Sequence, residues 1–105
     1  MAVKVLIRRS VKKNKSDQVF ELLKRLRIEA INQPGYISGE TLVNHYNPQN
    51  MVVISIWQTI EDWINWQESG ERVEIDGKLA KLLEEPAQSE IYDLGLLSKN
   101  KEFLI

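Results

Sequence analysis

Cysteine is absent from this chain, which excludes disulfides and thiolate metal sites within it. Histidine occurs once, at His45, so a multi-histidine metal site within one chain is excluded as well. The glycines, Gly35, Gly39, Gly70, Gly77 and Gly95, form no phosphate-cradling loop. No apolar run approaches the ~20 residues of a membrane span. The opening MAVKVLIRRS lacks the long apolar core and small-residue cleavage site of a signal peptide. An overall excess of one charge is also missing: the formal net charge of -1 argues against non-specific nucleic-acid binding, which needs clustered Lys and Arg. The expectation is a cytoplasmic protein with no membrane or nucleic-acid partner, no metal and no cofactor.

What is present describes one folded unit. A hydrophobic share of 43% and a charged share of 28% belong to a globular domain. A length of 105 residues supports one core, so residues 1–105 are read as a single domain, with 98–105 as a C-terminal tail. Charge is unevenly spread: residues 1–27 carry +7 and the remainder -8. Opposite halves can compensate each other within a subunit or across a dimer. RRSVKKNK has no interleaved aromatic to stack on a base.

Val3, Val5, Ile7 and Val11 alternate with Leu6, Arg8 and Ser10, the period of a first strand. Val19, Leu22, Leu23, Leu26 and Ala30 recur at helical spacing and stop at Pro34-Gly35. YISGETLVNHY and MVVISIW flank NPQN and read as a hairpin. With Asn47–Asn50 as its loop, Tyr46 faces Met51, and Asn44, Leu42 and Glu40 share a face with Val53, Ser55 and Trp57. The other, more apolar face holds Ile37, Thr41, Val43, His45, Val52, Ile54 and Ile56. Thr59 is a natural N-cap for a short helix with Glu61 and Asp62 in its first turn, and Ser69-Gly70 permits a break. ERVEIDGKLAKLLEE predicts another helix, ended by Pro86. Gly77 within it implies an interruption or a close backbone approach. SEIYDLGLL supplies a last strand.

Strand, helix, strand, strand, helix pair, strand is the order of a ferredoxin-like split βαβ sandwich, an α+β fold with a four-stranded antiparallel sheet. One sheet face takes the helices. Leaving the other face in water is unfavourable at ~25 cal/mol per Å² of apolar surface, so a homodimer with sheets packed face to face is expected.

WQTIEDWINWQ holds all three tryptophans, Trp57, Trp63 and Trp66. They form either an aromatic core or the walls of a pocket for a flat ligand. Trp63 and Trp66, three apart, are neighbours on one helix surface. His45 is a candidate general base. Asn44, and Tyr36 further along the same strand, are candidates to hydrogen-bond a substrate oxygen. Arg72 can bind an anionic group, or stay on the helix surface and pair with Glu68 or Asp76.

QPGYISGETL, VVISIWQTIEDWINWQESGER, IDGKLAKLLEEP and EIYDLG together resemble the antibiotic biosynthesis monooxygenase family over nearly the whole chain. The resemblance implies a dimeric α+β barrel with a pocket between helices and sheet in each subunit. It places Trp66 where some members keep a pocket tryptophan, beside which Trp63, Tyr36 and Arg72 are candidate pocket residues. It also implies a function class: cofactor-independent oxidation of a quinol-like or polycyclic aromatic molecule, for which the candidate catalytic residues are His45, Asn44 and Trp66. The alternatives are a non-catalytic dimeric module for a small ligand and a haem-binding or haem-degrading protein. The haem branch carries an asparagine and a histidine ligand that would fall here at Ile7 and Asp76, and neither residue repeats that chemistry.

Overall fold

Alternation along the first residues does produce a strand, β1 (Val3–Ser10), in which Val3, Val5 and Ile7 are buried and their neighbours are not. The computed structural model describes residues 1–95, and the tail expected over 98–105 lies outside the described residues. After β1 come α1 (Ser16–Ile31), β2 (Tyr36–Val43), β3 (Asn50–Trp57), α2 (Ile60–Gln67), α3 (Gly70–Ala80) and β4 (Gln88–Asp93). The sheet order is β2-β3-β1-β4 with every pairing antiparallel. This is the ferredoxin-like α+β arrangement expected from the element order.

The helices lie on the sheet face that carries Val3, Val5 and Ile7. α1 buries Val19, Leu23, Leu26 and Ala30 against it. Each large aliphatic side chain so buried contributes about 1.5 to 3 kcal/mol. Thr59 caps α2 by accepting from the Asp62 N–H at 3.1 Å, and Ser69 caps α3 by accepting from the Arg72 N–H at 3.3 Å. The break expected at Ser69-Gly70 is therefore a cap that starts the next helix. Among the described residues, no helix is long and apolar enough to cross a membrane.

The hairpin register differs from the sequence reading. Val43, not Tyr46, faces Met51, and Thr41 and Gly39 face Val53 and Ser55. Asn44 causes the difference: its Oδ1 accepts from the backbone N–H of Tyr46 at 3.0 Å and of Asn47 at 2.9 Å. That local turn takes the chain out of the strand early, and Asn44 N–H closes the longer loop on the Asn50 carbonyl at 2.9 Å. A register moved by an odd number of residues exchanges the faces. Thr41 and Val43 thus join the helix side, while Leu42 and Glu40 turn away with Val52, Ile54 and Ile56.

α3 is also shorter than the pattern suggested. Its continuation is drawn into the end of the sheet, where Val11 bridges Leu83 and the Glu84 N–H reaches the Ser10 carbonyl at 2.8 Å. Gly77 neither interrupts α3 nor receives a neighbour: it is helical and exposed, and a Cβ built there meets nothing within 4 Å. Gly77→Ala should therefore stabilise the protein by about 0.5 to 1 kcal/mol, because it lowers the backbone entropy lost on folding. Urea denaturation measures this, and a lower midpoint would mean that the glycine serves a contact outside this chain.

Candidate functional site between the helices and the sheet

Phase along β1 brings one unexpected residue inward. Continuing Val3, Val5, Ile7 by two positions reaches Arg9, which is only 4% exposed and lies opposite Met51. Arg72, the third residue after the Ser69 cap, points back from α3 toward the same place and is 6% exposed. From the sequence, Arg72 was a candidate to bind an anion in the pocket or to pair on the helix surface with Glu68 or Asp76. The fold buries it beside the hollow and also pairs it with Asp76 one turn on, Nε to Oδ2 at 2.9 Å.

Around Arg72 the aromatic residues close in. Its guanidinium carbon lies 5.2 Å from the Trp63 ring centre and 5.8 Å from that of Trp66, within the range of cation–π attraction. Trp63 meets Trp57 edge-on at 5.8 Å, and Trp57 meets Tyr36 edge-on at 5.3 Å. Gly39 leaves space for Tyr36, since a Cβ there would stand 2.6 Å from the phenol oxygen. The three tryptophans are at most 2% exposed, so exposure does not single out Trp66. They are at once core and wall, because all three line one hollow together with Tyr36, Ile7, Arg9 and Arg72.

That hollow is small, about 40 Å³, space for a few waters at most. A second hollow of about 260 Å³ adjoins it under α3 and is bordered by Asp76. Ile7, Arg9, Trp63 and Arg72 line both and form the waist between them. A ligand of ordinary size, needing roughly 300 Å³ or more, must span the two.

The waist is electrostatically unbalanced. Two buried guanidiniums share Asp76, and Arg9 reaches its Oδ1 only at 3.9 Å. Burial, and then the like charge of Arg72, lower the Arg9 pKa to about 10 despite the opposing pull of Asp76. Arg9 still remains a cation at neutral pH. Trp63 adds a further unmet group: its indole N–H is buried without a hydrogen-bond partner. The Trp57 N–H, by contrast, donates to Ser55 Oγ at 3.0 Å.

Of the residues named from sequence, Ile7, Tyr36, Trp63, Trp66, Arg72 and Asp76 lie on these hollows. His45 and Asn44 do not. Both are exposed on the hairpin loop, His45 edge-on to Tyr46 at 4.9 Å and Asn44 engaged in its own turn. The sequence reading had paired them with Trp66, and the longer loop is what separates them from it. Arg9 was missed, although its phase on the apolar face of β1 was a readable signal. Haem does not suit this donor set: Ile7 offers no hydrogen bond, and the Asp76 carboxylate already faces two guanidiniums.

A four-stranded antiparallel sheet with helices on one face and a hollow between the layers is an α+β architecture. The family model for antibiotic biosynthesis monooxygenase matches residues 2–75, and the chain belongs to that family. A conserved protein from Methanosarcina mazei Go1 shares the fold at TM-score 0.84 and 23% identity, over 88% of this chain and 91% of that one. SnoaB, a cofactor-independent oxygenase from Streptomyces nogalater, is similar at TM-score 0.80 and 14% identity, over 90% of this chain and 93% of that one. No curated protein matches in sequence.

The two indole N–H groups differ in a way that stability can read. Trp57→Phe removes a donor that Ser55 uses, whereas Trp63→Phe removes one that has no partner. Trp63→Phe should be the milder change by about 1 kcal/mol. Chemical denaturation of both variants checks this, and the reverse order would show that the Trp63 N–H is satisfied.

Proposed function

We propose that this chain is a cofactor-independent monooxygenase that oxidises a flat, electron-rich aromatic spanning the two hollows. The observation that carries this reading is a tryptophan-walled space with three arginines in its wall, of which Arg9 and Arg72 are buried and Arg27 is half-buried. Aromatic faces suit a planar ring, and fixed positive charge in a water-poor site favours the anion through which such a ring reacts with oxygen. The shared fold with SnoaB supports the reaction class.

The chemistry asked of the site is limited. Loss of a proton gives a phenolate or carbanion, which passes one electron to O2. The resulting superoxide and substrate radical combine into a peroxide anion, which takes a proton back from water to give a hydroperoxide. Loss of water then leaves a carbonyl, with one oxygen atom in the product and the other in water, and all electrons supplied by the substrate. Asp76 is the one carboxylate lining these hollows among the described residues, and it faces the arginines. Arg9 and Arg72 therefore promote ionisation by stabilising the anion, and the proton leaves to water. His45 and Asn44 take no part in this version of the mechanism.

With a quinol or anthrone-like substrate, oxygen uptake should be one O2 per substrate and unaffected by chelator or added flavin. An oxygen electrode measures this. If no such aromatic supports uptake while aromatics still bind, the chain is a ligand-binding module, not an enzyme.

The reading includes a homodimer. Leu6, Leu42, Val52, Ile54 and Ile56 sit on the sheet face away from the helices, outside the buried core, and Leu42 is 45% exposed. A second copy packed sheet to sheet would cover this apolar face. Sedimentation at micromolar concentration should give a dimer, and Ile54→Lys should give a monomer. A wild-type monomer would refute the pairing.

A further inference from the structure

The waist between the hollows holds more positive charge than the fold itself needs. Arg9 occupies a position whose neighbours in phase are Val3, Val5, Ile7 and Val11, all buried. An apolar residue there would satisfy the core at less cost, because a buried cation is strongly unfavourable without close partners. Yet the Arg9 guanidinium makes no hydrogen bond among the described residues, and its nearest carboxylate oxygen is 3.9 Å away. Arg72 has a firm partner in Asp76, but among the described residues Asp76 is the single counter-charge for both, and its side chain is 39% exposed to solvent. The waist thus carries about one uncompensated positive charge, that of Arg9, beside the unpartnered N–H of Trp63. Arg27, which of the two hollows lines only the smaller, is half-buried and donates to Thr41 Oγ1 at 3.1 Å.

We infer that the waist is an oxyanion site, and that the ligand of this cleft is a monoanion whose carboxylate or phenolate oxygen lies against Arg9, Arg72 and Trp63. The ring system it belongs to then extends along the faces of Trp63 and Trp66. One negative charge balances the surplus. A guanidinium offers a planar pair of donors to a carboxylate and a single strong one to a phenolate. A neutral ligand would leave Arg9 buried and unmatched. This inference deepens the proposed function by naming the charge of the substrate, but it rests only on the cleft being a ligand site.

Binding can be read from the tryptophans themselves, since all three line the hollow. Titration with 2-naphthoate and with its neutral isostere 2-naphthamide should show at least tenfold tighter binding of the anion. Arg9→Met and Arg72→Met should each abolish that preference, and Trp63→Phe should weaken naphthoate binding several-fold. Asp76→Asn should move the other way and tighten it, because the surplus charge grows. A purely structural role for these residues does not produce opposite signs, and Asp76→Asn keeps the test decisive should either arginine variant fail to fold. 2-Naphthol extends the test to phenols: its bound form showing the phenolate band at neutral pH would assign the site to phenolates too, and naphthoate binding alone would assign it to carboxylates. Equal affinity for naphthoate and naphthamide, or a preference unchanged in the variants, would overturn the inference. Naphthoate binding without oxygen uptake from any aromatic would keep the oxyanion site and remove the oxygenase reading. Uptake that is indifferent to Arg9 and Arg72 would do the reverse.

Discussion

The guanidinium of Arg72 stands where two helices and the first strand meet, and the arrangement of the site follows from it. It lies against Trp63 and Trp66 of α2, bonds to Asp76 of its own helix, and shares that carboxylate with Arg9 of β1. Its place is fixed by the Ser69 cap, which starts α3 three residues earlier. A guanidinium packs flat against indole faces while its edge keeps directional donors. An ammonium in the same position would lose both properties. The three tryptophans can therefore be fully buried and still surround a polar centre.

Such a centre is not an obvious source of stability. Burying a cation is offset only when geometry and counter-charge are good, and here one half-exposed carboxylate serves two arginines. Residues that contribute little to folding yet occupy core positions commonly mark a functional site. The aromatic shell solves part of the problem through cation–π attraction, and a bound anion would solve the rest. Packing and function thus meet in the same side chains: Trp63 contacts Trp57 and Arg72 as a core residue while leaving its N–H unmet.

Much of this fold was legible in the residues. β1 and α1 followed from periods of two and about 3.6, and Thr59 was readable as a cap because Asp62 follows it at the right spacing. Pro34-Gly35 marked a turn, and Gly35 takes a positive φ of 81° there. The hairpin was harder. Asn47-Pro48 looked like its tip, but the Asn44 side chain starts the turn earlier, and this local bond shifted the register by three residues. Periodicity carries no information about such a bond. The same shift moved His45 from the end of a strand to an exposed loop.

Arg9 teaches the complementary lesson. Its inward phase was present in the alternation, but a charged residue on an apolar face is easily passed over as an interruption of the pattern. Only the three-dimensional pairing with Arg72 and Asp76 turns it into a site. The central claim, that this buried charge exists to meet a ligand oxyanion, is tested most directly by a crystal structure of the protein with 2-naphthoate. The account predicts the carboxylate within hydrogen-bond distance of both Arg9 and Arg72, with the rings along Trp63 and Trp66. A naphthoate seated elsewhere, with Arg9 as unmatched as before, would contradict it.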